Sequence, residues 1–113
     1  DSDFELSIDQ SQLEQAIINL ISNSIHSLKN KINPRIELRS LLKANEKQIH
    51  IWDNGIGIPS ENMDRIFIPF YSTRKNGSGI GLSLSRYLIQ LNNGRIEVQS
   101  IVNSETRFSL IFN

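Results

Sequence analysis

Two clusters of closely spaced glycines are the first feature of this sequence that could do chemistry. They are Asp53-Asn54-Gly55-Ile56-Gly57-Ile58-Pro59 and Gly77-Ser78-Gly79-Ile80-Gly81-Leu82, and together they hold five of the six glycines. Glycines at this spacing let the backbone come close to a ligand and adopt conformations that other residues avoid. The second cluster leads into a predicted helix, whose free N–H groups and positive dipole end suit a phosphate. Either cluster alone would also fit an ordinary tight turn.

The first cluster begins with a carboxylate, Asp53, at the predicted end of a strand. A carboxylate there can accept a hydrogen bond from the amino group of a base, or it can fix the turn. Neither cluster matches a better-known phosphate motif, because the chain has no Gly-Lys-Ser/Thr and no Gly-x-Gly-x-x-Gly that opens a helix in a βαβ unit. These absences exclude the P-loop and the dinucleotide-binding βαβ fold, and they leave another kind of nucleotide-binding fold as the candidate.

A polar stripe on a predicted helix is the third chemical feature. Asn19, Asn23 and His26 are spaced by four and three residues, which keeps them within about 40° of one another on a helix. Asparagine is a mediocre helix former, so two in register with a histidine, beside apolar residues, indicate a lined cavity. Amide oxygens are neutral, hard ligands that suit a Mg²⁺ ion held mainly by phosphates and water.

Two helices are predicted to position these residues. Apolar residues recur at helical intervals over residues 7 to about 30, where Ser7 or Asp9 can cap a long helix. A second helix is predicted over residues 80–91, and Asn93-Gly94 is typical of its end.

Alternating apolar and polar residues predict the strands of one sheet. The predicted strands are residues 35–42, 48–52, 96–98 and 107–112, with a weaker one at 4–6. Residues 53–79 form a loop long enough to be functional, with one helical turn near 61–67. The order helix, two strands, helix, two strands predicts a single domain over residues 1–113. Its fold class is an α/β two-layer sandwich with a mixed, mostly antiparallel sheet packed on helices.

Composition excludes several classes of function. The 12 Lys and Arg residues balance 12 Asp and Glu, so no net basic field attracts nucleic acid or anionic lipid. The absence of cysteine removes disulfides, thiolate zinc sites and thiol nucleophiles. No apolar run approaches the length of a membrane span, and the chain opens Asp-Ser-Asp without a signal-peptide pattern. The sequence predicts a soluble, neutral domain.

Four motifs, in this order and spacing, resemble those of the bacterial sensor histidine kinases. Asn19-Leu20-Ile21-Ser22-Asn23-Ser24 resembles their N box, and the cluster that starts at Asp53 resembles their first glycine box. Ile66-Phe67-Ile68-Pro69-Phe70-Tyr71-Ser72-Thr73-Arg74 resembles their phenylalanine box, and residues 77–83 resemble their second glycine box. The resemblance spans nearly the whole chain.

The resemblance implies the Bergerat-type ATP-binding fold, which Hsp90-type chaperones, type II topoisomerases and mismatch-repair ATPases share. It implies that Asp53 accepts the adenine amino group and that Asn23 binds Mg²⁺, with Asn19 beside it. It also implies that Arg74 or Lys75, on a lid over residues 71–78, approaches the terminal phosphate, so that Asn19, Asn23 and Arg74 are the catalytic residues. The other ATP-binding residues that it implies are His26, Gly55, Gly57, Ile58, Thr73, Gly77, Ser78, Gly79, Ile80, Gly81, Leu82 and Thr106.

Three positions depart from the pattern of these kinases. Their third glycine-containing segment reads Asn103-Ser104-Glu105-Thr106 here, without glycine, so we expect a wider turn or a weaker role. His26 stands where lysine or arginine is common, and Ser27 where an aromatic residue is common. Phe67 and Phe70 are expected to be core anchors that hold the base of the lid.

Asn19 separates the candidate functions. In the hydrolysing relatives this position holds a glutamate that acts as general base, and an amide cannot take a proton at neutral pH. The prediction is therefore transfer of the terminal phosphoryl group of Mg-ATP to a histidine. Neither His26 nor His50 precedes an acidic residue, as the acceptor histidine of the family does, so this fragment is expected to lack its own substrate.

The partners follow from that prediction. The acceptor is expected on a histidine-containing dimerisation domain of the same parent protein, with a response regulator downstream. The domain is expected in the cytoplasm, without nucleic acid and without direct membrane contact, and anchoring of the parent in the inner membrane stays open. Two alternative functions also stay open: an ATP-hydrolysing, chaperone-type module, and a degenerate nucleotide-binding or docking module without phosphotransfer.

Overall fold

A computed structural model describes residues 7–71 and 79–113. Its elements, in chain order, are helix α1 (Gln10–Ser27), strands β1 (Ile36–Lys43) and β2 (Glu46–Asp53), a 3₁₀ turn (Ser60–Asn62), helix α2 (Gly81–Leu91) and strands β3 (Gly94–Ile101) and β4 (Glu105–Phe112). The four strands form one sheet in the order β1-β2-β4-β3, and each pairing among them is antiparallel. Two helices packed on this sheet confirm the predicted two-layer sandwich. The weak strand at residues 4–6 lies outside the described residues.

The start of α1 is tied to the end of α2. Asp9 caps α1, because its carboxylate accepts a hydrogen bond from the Gln12 N–H at 2.9 Å. Asn92, just after α2, accepts from the Asp9 N–H and donates to Gln12 Oε1, both at 2.9 Å. Farther along the helices, Ser85 Oγ donates to the Ala16 carbonyl at 3.2 Å, and both residues are buried. Small side chains at this crossing let the two helices pack closely.

Asparagines at positive φ set where both helices end. The α1 helix stops at Ser27, about three residues before the predicted end, and the chain then turns through Asn30 at φ +67°. The α2 helix ends at Leu91, as predicted, and Asn93 takes the left-handed conformation at φ +62°. Gly94 instead opens β3, where a Cβ atom would lie 2.6 Å from the Phe112 ring.

The hydrophobic core lies between the helices and the two central strands. Alternate residues of β2 and β4 point toward the helices and are buried, as the period of a strand requires. The largest fully buried side chains of the core are Leu20, Ile51, Ile89, Phe108 and Leu110.

The edge strand β1 is more exposed than its sequence pattern predicts. Its inward-facing residues Ile36, Leu38 and Leu42 remain 36%, 56% and 49% exposed. In the register they lie opposite the buried face of β2, but α1 packs on β2 and leaves β1 uncovered among the described residues. The alternation identified the strand correctly, and the prediction that it buries one face was wrong.

Phe67 and Phe70 have different surroundings. Phe67 is half-buried and meets Phe108 edge to face, with ring centroids 6.5 Å apart. The ring of Phe70 is 80% exposed, and its backbone takes φ +70°. Phe67 is therefore the core anchor that the sequence predicted, and the same prediction for Phe70 was wrong. The Phe70 N–H donates to the Gly79 carbonyl at 2.8 Å, so a backbone hydrogen bond, rather than packing of the ring, links Phe70 to Gly79.

Candidate nucleotide site

A cavity of about 340 Å³ opens beside the C-terminal half of α1. Its volume lies within the usual range for small-molecule sites. Four separate segments form its walls: α1, the chain after β2, the start of α2, and Thr106 of β4. The lining residues are Asn19, Asn23, His26, Ser27, Ile56, Gly57, Ile58, Pro59, Asn62, Ile66, Tyr71, Gly79, Gly81, Leu82 and Thr106.

The predicted polar stripe of α1 faces this cavity. Asn19, Asn23 and His26 all line it. Asn19 Oδ1 accepts from Gln15 Nε2 at 2.9 Å, while Asn19 Nδ2 is buried without a hydrogen-bond partner. The Asn23 side chain makes no hydrogen bond to any other described residue, so its amide is free for a ligand. Asn19 Nδ2 and the Asn23 amide are therefore available to hydrogen bond with a ligand in the cavity.

Asp53 lies behind the cavity wall and is fully buried. Its Oδ1 accepts from the Gly55 N–H at 2.9 Å and from Ser27 Oγ at 3.3 Å. Its Oδ2 has no partner among the described residues. Burial raises the pKa of Asp53, and the Gly55 N–H and the hydroxyls of Ser24 and Ser27 lower it in part. Ser24 Oγ itself makes no well-formed hydrogen bond.

The first glycine cluster is held between α1 and the β3–β4 hairpin. A Cβ atom on Gly55 would lie 2.2 Å from Ser27 Oγ, so only glycine lets this backbone reach the end of α1. The Ile56 N–H then donates to the Ser27 carbonyl at 3.1 Å. Gly57 takes φ +74°, and its Cβ would lie 2.4 Å from the Ile101 carbonyl oxygen. Both glycines therefore have packing reasons, and Gly57 lines the cavity whereas Gly55 does not.

The segment before Thr106 forms a short turn despite its lack of glycine. Residues 102–104 connect the paired residues Ile101 and Glu105, and Asn103 takes φ +63°. Asparagine tolerates this left-handed conformation better than most residues. The Asn103 N–H donates to the Ile56 carbonyl at 2.6 Å, which fixes the hairpin to the first glycine cluster. The expected wider turn is therefore absent here.

The start of α2 supplies the other end of the cavity. Gly79, Gly81 and Leu82 line it, whereas Ile80 points away and is 41% exposed. Within residues 7–71 and 79–113 no side chain caps the first turn of α2, so its N–H groups are open to an anion. Five predicted residues of this end, Thr73, Arg74, Lys75, Gly77 and Ser78, lie outside the described residues.

Sequence reasoning missed several lining residues. Asn62 and Ile66 enter the cavity from the segment after the first glycine cluster, and Tyr71 from its far end. Ser27 also lines the cavity, although the sequence marks it only as a position where an aromatic residue is common in the family. Asn62 ends the 3₁₀ turn, and that turn, rather than a periodic pattern, brings it to the wall. No signal in the sequence marked it, because irregular backbone has no period.

The residues present fit a magnesium ion that is held mainly by phosphates. The Asn23 side chain has no hydrogen-bond partner among the described residues, so its amide oxygen suits Mg²⁺, whereas the unpaired atom of Asn19 is the donor Nδ2, which suits a phosphate oxygen. No cluster of three or more His, Cys, Asp or Glu side chains that could hold a metal occurs among the residues described. No acidic side chain lines the cavity within residues 7–71 and 79–113. In the same ranges, no helix is both long and apolar enough to cross a membrane.

A four-stranded antiparallel sheet under two helices, with a cavity between a polar helix stripe and a glycine-rich loop, defines an α/β-sandwich ATP-binding domain. The family model described as "Histidine kinase-, DNA gyrase B-, and HSP90-like ATPase" matches residues 8–113. The chain belongs to this family, as an ATP-binding domain of the sensor histidine kinase type.

Individual relatives agree with this assignment. The signal transduction histidine-protein kinase ArlS of Staphylococcus aureus (strain USA300) is 40% identical over 115 aligned residues, which cover 96% of this chain and 25% of ArlS. The chain thus spans about a quarter of that relative. The catalytic domain of histidine kinase ThkA superposes with a TM-score of 0.84 at 28% identity, over 99% of this chain and 72% of that one. The mycobacterial sensor histidine kinase MprB has the same fold, with a TM-score of 0.83 at 21% identity over 95% and 75%.

Proposed function

We propose that this domain binds Mg-ATP in the cavity beside α1 and donates the terminal phosphoryl group to a histidine on a separate dimerisation domain of the same parent protein. One observation carries the proposal. Among residues 7–71 and 79–113, three buried side-chain atoms lack a hydrogen-bond partner: Asn19 Nδ2, Ser24 Oγ and Asp53 Oδ2. Buried polar groups are nearly always paired. All three belong to the cavity wall or to the Asp53 cluster behind it, so a polar ligand in the cavity would explain them.

Each part of the nucleotide has a place in this proposal. Asp53 accepts from the adenine amine, next to the backbone of Gly55 and Gly57. Asn23, with Asn19 beside it, would hold Mg²⁺, which would supply positive charge to neutralise the charge that develops on the phosphates. The open N–H groups at the start of α2 donate hydrogen bonds to the phosphate oxygens. In the undescribed segment, Arg74 or Lys75 is proposed to approach the terminal phosphate.

The transfer step forms one bond and breaks one. An imidazole nitrogen of the acceptor histidine attacks the terminal phosphorus, the bond from that phosphorus to the bridging oxygen breaks, and ADP leaves with the bridging electron pair. Positioning and charge stabilisation are what such a step demands. This chain contributes those two functions, and the acceptor nitrogen comes from the partner domain.

The absence of an acidic lining residue favours transfer over hydrolysis. Hydrolysis by the route of the hydrolysing relatives needs a carboxylate as general base, and none of the described lining residues is a carboxylate. The amide of Asn19 cannot serve as that base. The two rival functions, an ATP-hydrolysing module and a binding module without chemistry, thus lack a specific observation in their favour.

An exposed apolar surface lies where the acceptor domain would need to dock. We define the α2 surface as Phe70, Ile80, Leu84, Tyr87 and Leu91, all exposed and large. Its α2 members recur at intervals of four, three and four residues, so they share one helix face next to the phosphate end of the cavity. Large exposed apolar patches commonly mark interaction sites. We assign this surface to the histidine-bearing domain, in the cytoplasm.

The proposal is tested in two steps. Thermal unfolding with ATP, ADP and GTP, each with and without Mg²⁺, should show stabilisation that is largest with Mg-ATP or Mg-ADP, because ligands that bind the native state stabilise it. A histidine-bearing dimerisation domain and ATP labelled on the terminal phosphate are then added. Label on histidine is the expected result. Nucleotide binding without labelled histidine would contradict phosphotransfer, and steady phosphate release by the isolated domain would favour hydrolysis.

A further inference from the structure

Ser100 joins the first glycine cluster to the β3–β4 hairpin through three hydrogen bonds. Its Oγ accepts from the Ile58 N–H at 2.7 Å and donates to the Glu105 carbonyl at 2.8 Å. The same Oγ lies 2.9 Å from Thr106 Oγ1. Thr106 lines the cavity and is only 2% exposed, so the direction of its hydrogen bond decides what it offers to a ligand.

Counting protons fixes that direction. A serine hydroxyl has one proton and two acceptor sites. The Glu105 carbonyl can only accept, so it takes the Ser100 proton, and the Ile58 N–H can only donate, so it fills one acceptor site. Only an acceptor site then remains for Thr106, whose own proton must point to Ser100. Thr106 Oγ1 therefore has only lone pairs left to offer to a ligand.

A second acceptor lies next to Thr106. Asp53 and Thr106 are directly opposite each other across β2 and β4, an arrangement that holds Cβ atoms about 5 Å apart. Asp53 Oδ2 is buried and has no partner among the described residues. An ionised carboxylate can only accept hydrogen bonds. Thr106 at the cavity wall and Asp53 just behind it therefore place two acceptors on neighbouring strands.

We propose that Ser100 is a positioning residue that makes Thr106 an obligate acceptor, so that Thr106 and Asp53 together select a purine nucleotide with an exocyclic amine. The inference rests on the proposed function, since it specifies how the base of that nucleotide is recognised. An exocyclic amine has two hydrogens, which match two neighbouring acceptors. A purine without the amine leaves both acceptors unpaired in a buried place, which weakens its binding.

The test compares Mg-ADP with the magnesium complex of purine riboside 5′-diphosphate, which differs from ADP only in lacking the amine. Titration calorimetry gives the affinity ratio for the wild type and for Ser100→Ala and Ser104→Ala. We expect the wild type to prefer ADP by about tenfold or more, the effect of two hydrogen bonds. In Ser100→Ala the Thr106 proton can rotate into the cavity, so the preference shrinks about three- to tenfold. Ser104 is exposed in the same hairpin, and its substitution should leave the ratio unchanged.

Thr106→Val provides a second variant of nearly the same shape, should Ser100→Ala fail to fold. We expect it to weaken ADP several-fold and to leave purine riboside 5′-diphosphate nearly unchanged. If Thr106 donated to a ring nitrogen instead, the valine would weaken both nucleotides equally, and that outcome overturns the inference. Wild-type binding of ADP with the same preference in Ser100→Ala would also overturn it while leaving the proposed function intact. No binding of either nucleotide to the wild type would overturn both.

Discussion

Asp53 shows how one residue can be unfavourable in the free domain and useful in its complex. Its carboxylate is fully buried, and only one of its two oxygens has partners among the described residues. Burying a charge that is only partly paired costs free energy. The Gly55 N–H and the Ser27 hydroxyl recover part of this cost. A ligand amine at the unpaired oxygen would recover more, so the arrangement suits recognition better than stability.

The first prediction concerns the affinity of Asp53→Asn for adenine nucleotides. The substitution replaces an acceptor with an amide that presents N–H groups, so we expect Mg-ADP to bind about 10- to 100-fold more weakly, the usual effect of losing a hydrogen bond to a charged group. Titration calorimetry measures it, and thermal unfolding checks that the variant is folded. Asp64→Asn, at an exposed position, is the matched control. Unchanged affinity in a folded Asp53→Asn domain would exclude the adenine role.

The second prediction concerns how stability depends on pH. Burial raises the pKa of Asp53 in the folded state, so between the unfolded value of about 3.9 and the folded value the native state holds more protons than the unfolded state. Stability from this group therefore falls as pH rises through that interval. Asp53→Asn lacks the effect, so its stability relative to the wild type should increase from pH 4 upward and then level off. Urea unfolding at several pH values measures the difference, and a flat difference would refute the prediction.

The third prediction concerns Asn23, whose amide faces the cavity without a partner among the described residues. Asn23→Ala should reduce about tenfold or more the gain in nucleotide affinity that Mg²⁺ gives, since removal even of a group supporting a metal ligand has effects of this size. Affinity for ADP without Mg²⁺ should change little. Parallel titrations with and without the ion test this, and Ser22→Ala, at an exposed position on the same helix, is the control. An unaltered Mg²⁺ effect would refute the assignment.

At the scale of elements, asparagine takes the left-handed backbone conformation at several turns where glycine is often found. Positive φ angles occur at Asn30, Asn33, Asn93 and Asn103, each next to the end of a helix or strand. Short polar side chains tolerate the left-handed conformation. Ala44 is different, because it takes φ +55° in the two-residue turn between β1 and β2. The Cβ of alanine makes this conformation unfavourable by about 1 kcal/mol or more.

The fourth prediction follows from that strain. Ala44→Gly should stabilise the domain by about 0.5–1 kcal/mol, because relief of the strain exceeds the entropy that glycine adds to the unfolded chain. Chemical unfolding measures the gain. Asn45→Gly in the same turn is the control, because Asn45 has no positive φ to relieve and should show no gain. Equal effects of the two substitutions would mean that the strain at Ala44 does not influence stability.

At the scale of the whole molecule, the α2 surface and the exposed inner face of β1 lie on different elements. The α2 surface adjoins the phosphate end of the cavity through Phe70 and Gly79, whose backbones are hydrogen bonded. The exposed inner face of β1, with Leu38 at its middle, belongs to the opposite edge of the sheet, because β1 and β3 are the two edge strands and α2 packs on β3. Of these two surfaces, the α2 surface is the one placed to bring a partner to the proposed terminal phosphate.

The fifth prediction separates docking from nucleotide binding. Tyr87→Gln removes a 58% exposed aromatic ring from the α2 surface, so it should slow phosphoryl transfer to a histidine domain supplied in trans about tenfold at subsaturating concentration. Affinity for Mg-ADP should not change. Leu38→Gln, on β1, is the control for a loss of exposed apolar area. Equal slowing by both variants would place the docking surface elsewhere.

Local patterns in the sequence were sufficient for the elements and for much of the site. The period of the apolar residues identified both helices and all four described strands, because a residue's neighbours within a helix or strand decide which face it occupies. The same spacing placed Asn19, Asn23 and His26 on one face of α1, and the structure brings all three to the cavity. Glycine spacing identified the two loops that flank them.

Tertiary packing decided the rest. Whether β1 buries a face depends on which strand α1 covers. Whether Phe67 or Phe70 anchors the core depends on the positive φ angle of Phe70, which leaves its side chain exposed. Asn62 reaches the cavity through irregular backbone that has no sequence period. The direction of the Ser100–Thr106 hydrogen bond depends on partners 42 residues apart in the chain. Sequence periodicity acts over a few residues, whereas burial and hydrogen-bond partners are set by segments that meet only when the chain has folded.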